Sequence, residues 1–309
     1  MRNGLLILLL AAGVVSCSAD PKQAIETGKV EWMRDLDAAL ENSQRSGKPV
    51  FALFQEIPGC AGCKQFGREV LSHPLIVDAI ESEFVPLLIH NNQPGKDAEL
   101  LKRFNEPVWN YQVVRFLDHQ GKDLIPRKDK VWTTGPLAVR MIQTLEKSGR
   151  EVPGYLSLLA SEESSALRSA AFGMFCFWTG EMKLGQIKGV ITTEAGFIKG
   201  REVTLVRYDP RVISLHELID QAVSIDCSDS IHVPASELGS LARQGRKLSA
   251  LEGYRAAPER DQKKQLSRLR LGGLDLTPAQ RTKLNAWLPV DRNRALSFLS
   301  PAQAEKFPS

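Results

Sequence analysis

Two cysteines three residues apart, Cys60-Ala61-Gly62-Cys63, stand between an apolar run and a helical one, and that placement narrows both the fold and the chemistry of this chain. Before them runs Lys48-Pro49-Val50-Phe51-Ala52-Leu53-Phe54, of strand character; after them Lys64 to Leu71 reads as a helix. The first thiol then lies at a helix N-terminus, where free backbone N–H groups and the helix dipole favour a thiolate. The second, one turn on, can reach back to close a disulfide. A thiol–disulfide redox site has this form, with Cys60 and Cys63 as candidate catalytic residues. An inert structural disulfide is the alternative.

The flanks extend the pattern. Trp32, Leu36, Ala39 and Leu40 recur at helical spacing, and Ser46-Gly47-Lys48-Pro49 ends that helix. Beyond the cysteines come a helix over Leu75–Glu83, a strand over Phe84–Ile89, a helix over Asp97–Phe104 and a strand over Val113–Asp118. The order describes an α/β fold with a mixed sheet. On Gly47-Lys48-Pro49-Val50, Cys60-Ala61-Gly62-Cys63-Lys64, Phe84-Val85-Pro86-Leu87 and Val114-Arg115-Phe116-Leu117, residues 28–150 resemble a thioredoxin-like domain. Ile57-Pro58-Gly59-Cys60 further resembles a bacterial thioredoxin-like lipoprotein group named for a Val-Pro-Gly-selenocysteine motif, which implies that Cys60 is the attacking nucleophile. Two departures stand out. Gly59 replaces the usual aromatic before the first cysteine, and Asn110-Tyr111-Gln112 holds no proline where thioredoxins carry a cis one. A trans bond is expected there, since a non-proline cis bond costs about 3 kcal/mol.

The N-terminus bears on the compartment. Met1-Arg2-Asn3 is a short positive segment, and Leu5 to Val15 is an apolar stretch of 11 residues, too short to span a bilayer and suited to a secretory signal. Its end, Val14-Val15-Ser16-Cys17, resembles a bacterial lipoprotein signal, which implies a signal peptide over 1–17 with Cys17 lipidated; Ser18 then implies the outer membrane, with the protein facing the periplasm. An ordinary signal peptide or a buried apolar helix is the alternative. The net charge of +4 is scattered, so nucleic-acid binding is not indicated. A chain of 309 residues suggests two domains, large enough to bury their cores without structural disulfides.

The second half reads β–α–β–β–α. Its marks are Cys176-Phe177-Trp178, the run Gly189-Val190-Ile191-Thr192-Thr193-Glu194-Ala195-Gly196-Phe197, and Tyr208-Asp209-Pro210 followed by Val212-Ile213-Ser214-Leu215. Over residues 164–224 these resemble the A-type peptide methionine-S-sulfoxide reductases. The resemblance implies that Cys176 attacks the sulfoxide sulfur, that Phe177 and Trp178 bind the substrate methyl group, and that Glu202 gives a proton to the oxygen. A carboxylic acid suits that task, because sulfoxide oxygen leaves only once protonated. The sulfenic acid left on Cys176 must condense with another thiol, and Cys227 is the candidate resolving residue. The chain departs from that family in lacking a long, tyrosine-bearing loop between Phe197 and Glu202, and in carrying Phe175 where a glycine is usual. Without the resemblance, Cys176 reads as a buried hydrophobe in an apolar strand, Phe177 and Trp178 as core, and Glu202 as a solvated strand residue.

The remainder, 231–309, reads as mainly helical. His232-Val233-Pro234 is expected as a loop, Ala235–Leu248 and Asp261–Leu269 as helical, with further helix starts at Thr277-Pro278 and Ser300-Pro301. The expected division is a thioredoxin-like domain over 28–150, a truncated methionine-sulfoxide-reductase-like αβ domain over 160–230, and this C-terminal region, in all α/β and α+β. The expected function is a lipid-anchored thiol–disulfide oxidoreductase whose first cysteine pair can reduce the second domain. Its partners would be protein thiols and disulfides or methionine sulfoxide in proteins, with an unidentified electron donor and no cofactor. Two alternatives stay open: disulfide exchange alone beside a non-catalytic second domain, or a non-enzymatic metal-handling lipoprotein in which His73 or His90 joins the thiols.

Overall fold

The computed structural model describes residues 23–109, 112–242, 248–267, 269, 271 and 274–308. Cys17 with its apolar stretch, and Asn110-Tyr111 where the trans bond is expected, lie outside the described residues. No helix among the described residues is long and apolar enough to cross a membrane.

The first half runs α1 (Leu36–Ser46), β1 (Val50–Gln55), α2 (Ala61–Glu69), α3 (Pro74–Glu83), β2 (Val85–His90), α4 (Lys96–Arg103), β3 (Val113–Leu117) and α5 (Thr134–Lys147). β1 is the central strand, parallel to β2 and antiparallel to β3. Every residue of β1 is buried, because helices cover both faces of the sheet. Alternation sorts its side chains. Val50, Ala52 and Phe54 pack with Leu36 and Ala39 of α1 and Leu101 of α4, whereas Phe51 and Leu53 pack with Phe66 of α2, Ile76 of α3 and Leu137 of α5. The apolar run that precedes the cysteines is thus the middle of a mixed, two-sided sheet, as its sequence predicts.

α6 (Gly154–Glu162) serves two cores. Its Tyr155, Leu156 and Leu159 belong to the first, while Leu158 packs with Ile191 and Ala279 of the second half. Then follow β4 (Arg168–Gly173), α7 (Phe177–Gln186), β5 (Val190–Ile198), β6 (Arg201–Tyr208), α8 (Leu215–Ser224), β7 (Ser230–Val233), α9 (Ala235–Ala242), β8 (Leu248–Ala250) and β9 (Arg255–Ala256). The six strands order as β8-β7-β4-β6-β5-β9, antiparallel except for the β7–β8 pair. α7 and α8 cover one face, where Leu184, Leu218 and Ile219 meet Ala170, Phe172 and Val206. α10 (Pro278–Trp287), α11 (Arg292–Leu296) and α12 (Pro301–Lys306) close the chain. α10 and α12 each begin in a capping box, on Thr277 with Gln280 and on Ser300 with Gln303, as the Thr-Pro and Ser-Pro signals predict. These helices return to the first half: Ser300 hydrogen-bonds Asp78 of α3, and the Ala279 N–H donates to Glu162 of α6 at 3.1 Å.

Three expectations are corrected. Cys176 is not in a strand; it is the N-cap residue of α7. Ile231-His232-Val233 is not a loop but strand β7, paired with β4, and the helix after it ends at Ala242, with Leu248 already in strand β8. Asp261–Leu269 is not a helix: a 3-10 turn over Glu259–Asp261 leads into turns, because Gln262 and Lys263 are drawn into hydrogen bonds with the second sheet.

Candidate functional site

Cys60 is exposed and is the N-cap residue of α2; Cys63, one turn on, is fully buried. The two sulfurs lie 3.5 Å apart as thiols. The Cys63 backbone N–H, pointing out of the first helical turn at the Cys60 sulfur, is the main reason the Cys60 thiol sits below its ordinary range; the Cys63 thiol and the Gly62 N–H add to it. Burial pushes Cys63 the other way, up to about 12, helped by the neighbouring Cys60 and the Glu56 carboxylate. One thiol is poised to ionise and exposed; the other is held protonated and hidden.

The loop between β1 and α2 is clamped from two sides. Asn92 Oδ1 accepts the Ile57 N–H at 3.1 Å, Asn92 Nδ2 donates to the Pro58 carbonyl at 3.2 Å, and Gln93 donates to the Ile57 carbonyl at 3.2 Å. From beneath, the buried Glu26 accepts the Gly59 N–H at 2.9 Å. Gly59 itself is dictated by space, since a Cβ there would stand 2.6 Å from Cys63 Cβ and 2.4 Å from the Glu56 carbonyl oxygen. The missing aromatic before Cys60 therefore has a steric reason: no side chain fits. Gln112, just before β3, lies over the pair, its Oε1 3.7 Å from Cys63 Sγ. Val108 and Trp109, a few residues earlier in sequence, are 69% and 72% exposed.

The two expected metal partners, His73 and His90, do not join the thiols. His90 pairs with Asp97 and His73 is the N-cap residue of α3. The group that does is Glu56, whose carboxylate lies within 4.8 Å of both sulfurs. Neither Glu56 nor Glu26 is singled out by the sequence; both become visible only once the loop is folded.

The second candidate site repeats the layout. Cys176, half-buried, is the N-cap residue of α7 after the buried strand β4. Glu202 reaches it through the sheet. β6 pairs with β4 so that the Glu202 carbonyl accepts the Met174 N–H at 3.4 Å, and the Glu202 carboxylate accepts the Phe177 N–H, the first amide of α7, at 2.8 Å. A two-residue turn, Lys199-Gly200 with both φ positive, joins β5 to β6, which is why no longer loop intervenes. Phe175, beside Cys176, is 96% exposed and lines a cleft of about 280 Å³ with Met174, Arg201, Glu202 and Ser230.

The two aromatics assigned to the substrate methyl are covered. Phe177 is buried against Ala195 and Ala257, edge-on to Phe197. The Trp178 indole N–H donates to the Asp261 carbonyl at 2.7 Å, and Lys264 Nζ lies 4.5 Å from its ring centre. The covering segment is anchored by β9 on β5, by Gln262, whose amide bonds both the N–H and the carbonyl of Ala195, and by a buried ion pair between Lys263 and Glu181 of α7. Cys227 is fully buried in the apolar core, its thiol directed at the Ile225 carbonyl. Burial raises it above the ordinary thiol range. Lys183, two turns along α7 from Cys176, hydrogen-bonds that same carbonyl at 2.8 Å, and among the described residues no hydrogen bond joins the Cys227 and Cys176 thiols.

Comparison with known proteins finds two kinds of similarity. A thioredoxin-like family model matches residues 31–118. The peptide methionine sulfoxide reductase MsrA of Rippkaea orientalis is 38% identical over 72 aligned positions, covering 18% of this chain and 33% of that protein. MsrA of Clostridium perfringens is 34% identical over 87, covering 23% of this chain and 55% of that one. The chain therefore spans a third to about half the length of these curated relatives. Among solved structures, a DsbH oxidoreductase is similar with a TM-score of 0.34 at 19% identity, covering 42% of this chain and 95% of that one. A methionine sulfoxide reductase A of Corynebacterium diphtheriae is similar with a TM-score of 0.28 at 16% identity, covering 42% of this chain and 86% of that one.

The opposed thiols give a direct test. In Cys63→Ser, alkylation of Cys60 should already be fast near neutral pH and level off below the ordinary thiol range, because its thiolate forms early. In Cys60→Ser, Cys63 should stay slow until strongly alkaline pH. Rates followed by mass spectrometry, with a chelator present, decide the order; a faster Cys63 reverses the assignment.

Proposed function

We propose that this protein is a thiol–disulfide oxidoreductase in which Cys60 attacks and Cys63 resolves. The observation that carries the reading is the exposed, readily ionised Cys60 sulfur 3.5 Å from the buried, protonated Cys63 sulfur. The Cys60 thiolate attacks one sulfur of a substrate disulfide, forming a mixed disulfide and expelling the other sulfur as a thiolate. Cys63 then loses its proton and attacks the Cys60 sulfur. The substrate's second thiolate leaves, and two electrons have passed from protein to substrate. An external dithiol must return them. The reduced chain should turn over a small disulfide-bonded protein such as insulin. Cys60→Ser should abolish turnover, and Cys63→Ser should accumulate a mixed disulfide through Cys60. Undiminished turnover in Cys60→Ser would overturn the reading.

A second reading adds reduction of methionine sulfoxide at Cys176. It is favoured by the contact of the Glu202 carboxylate with the first amide of α7, which sets an acid beside the Cys176 thiol. The Cys176 thiol attacks the sulfoxide sulfur and Glu202 protonates its oxygen; that oxygen passes to the Cys176 sulfur as the thioether leaves, and the resulting sulfenic acid condenses with a second thiol to give a disulfide and water. That thiol is assigned to Cys60 or an external reductant rather than to the buried Cys227. The absent loop tyrosine and the covered Trp178 both lower the rate. A single lost donor to the oxygen is worth about 3 kcal/mol, roughly a hundredfold. With dithiothreitol as reductant, weak turnover of a methionine-S-sulfoxide peptide is expected, lost in Cys176→Ser and reduced at least about tenfold in Glu202→Gln. Wild-type turnover no higher than Cys176→Ser leaves the second domain non-catalytic.

The reading includes a lipid anchor at Cys17, in the outer membrane with the site facing the periplasm, supported by the sequence signal. Mass spectrometry of the membrane fraction should find an acylated N-terminal cysteine; a soluble mature form starting elsewhere refutes it.

A further inference from the structure

We propose that the reduced Cys60–Cys63 pair and the Glu56 carboxylate together form a binding site for a divalent metal ion of borderline softness, zinc being the type, and that occupancy closes the redox site. The three ligand atoms, two Sγ and one carboxylate oxygen, all lie within 4.8 Å of one another, and the two sulfurs are 3.5 Å apart. A tetrahedral zinc ion with Zn–S near 2.3 Å sets two sulfurs about 3.8 Å apart and a sulfur and an oxygen about 3.5 Å apart. The thiols already stand at nearly that separation, and the carboxylate needs to move by about an ångström. Gln112 Oε1, 3.7 Å from Cys63 Sγ, offers a fourth ligand, the second oxygen of the set.

The donor set selects the ion. Two sulfurs exclude magnesium and calcium, which take oxygen, and the oxygens disfavour copper(I), which takes sulfur; zinc accepts both. The carboxylate also lacks another occupation. Among the described residues no hydrogen bond or ion pair is formed by the Glu56 side chain. Placed beside a nascent thiolate it is an uncompensated like charge, which a dication relieves. Its backbone is held in place by the clamp on the adjoining loop, where Asn92, Gln93 and Glu26 each hold one or more of the peptide groups from Ile57 to Gly59.

Binding moves no electrons. One hydrated metal ion replaces two thiol protons, which go to solvent; two metal–sulfur bonds and one bond to the Glu56 carboxylate form as the ion sheds bound waters. The disulfide form has no thiolates to offer, so the site exists only in the reduced protein. A metal-bound Cys60 can no longer attack a disulfide.

The experiment uses the full chain, reduced and freed of reductant under inert gas. Zinc is titrated against a chromophoric chelator, and cobalt(II) is used for its thiolate-to-metal absorption. One equivalent of metal should bind to the wild type and be lost in the Cys60→Ser/Cys63→Ser double variant, which leaves Cys17, Cys176 and Cys227 as an internal control. Glu56→Gln should weaken binding about tenfold or more, while keeping both thiols. Zinc should slow alkylation of Cys60 in the wild type, a readout that needs no variant to fold. Absence of saturable binding at micromolar metal, retention of the equivalent in the double variant, or wild-type affinity in Glu56→Gln would each overturn the proposal. No turnover is measured, so its outcome is separate from that of the disulfide-exchange reading, which insulin reduction decides.

Discussion

The chemistry of this chain depends on one arrangement used twice: a cysteine at the N-cap of a helix that leaves a buried strand. A helix start leaves backbone N–H groups without partners, and whatever acceptor reaches them first decides what the cysteine becomes. At α2 no side chain caps the helix, and the Cys63 and Gly62 amides face the Cys60 sulfur and lower its proton affinity. At α7 the first amide is already taken by the Glu202 carboxylate. The same scaffold thus yields a poised thiolate in one half and, in the other, a thiol beside a carboxylate.

The two halves are bound together by more than a connecting peptide. α6 gives Leu156 to one core and Leu158 to the other, two residues apart and so on opposite faces of one turn. Its start is pressed against the end of α11, with a Cβ on Gly154 standing only 2.6 Å from the Ser297 carbonyl oxygen. α12 completes the closure through Ser300 and Asp78, 222 positions apart in sequence. Such contacts cost loop-closure entropy that grows slowly with separation, so a few well-placed ones suffice to fix the return path.

Much of the fold was legible because its signals are local. The all-apolar β1, the helix starts at Thr277 and Ser300, and the short β5–β6 connection are each set by residues within a few positions. What was not legible is non-local. Ile231-His232-Val233 becomes a strand because β4, some 60 positions earlier, offers an edge. Gln262 and Lys263 look like part of a charged helix until Ala195 and Glu181 claim them. At the sites, the thiols were readable from spacing. Glu26 and Glu56 were not, since nothing in the sequence brings them to the cysteines.

The cover over Trp178 has a bearing on how the protein is made. The indole and its helix are made with β4, yet Asp261 and Lys264, which seal it, follow roughly 85 residues later, about 4–17 s at ordinary rates of synthesis. During that interval the first core can already close, because its sheet is complete by Leu117. The aromatic pair waits uncovered beside it. A chain that has not yet reached Asp261 therefore lacks the groups that cover Trp178, so the cover is the last part of the second site to form.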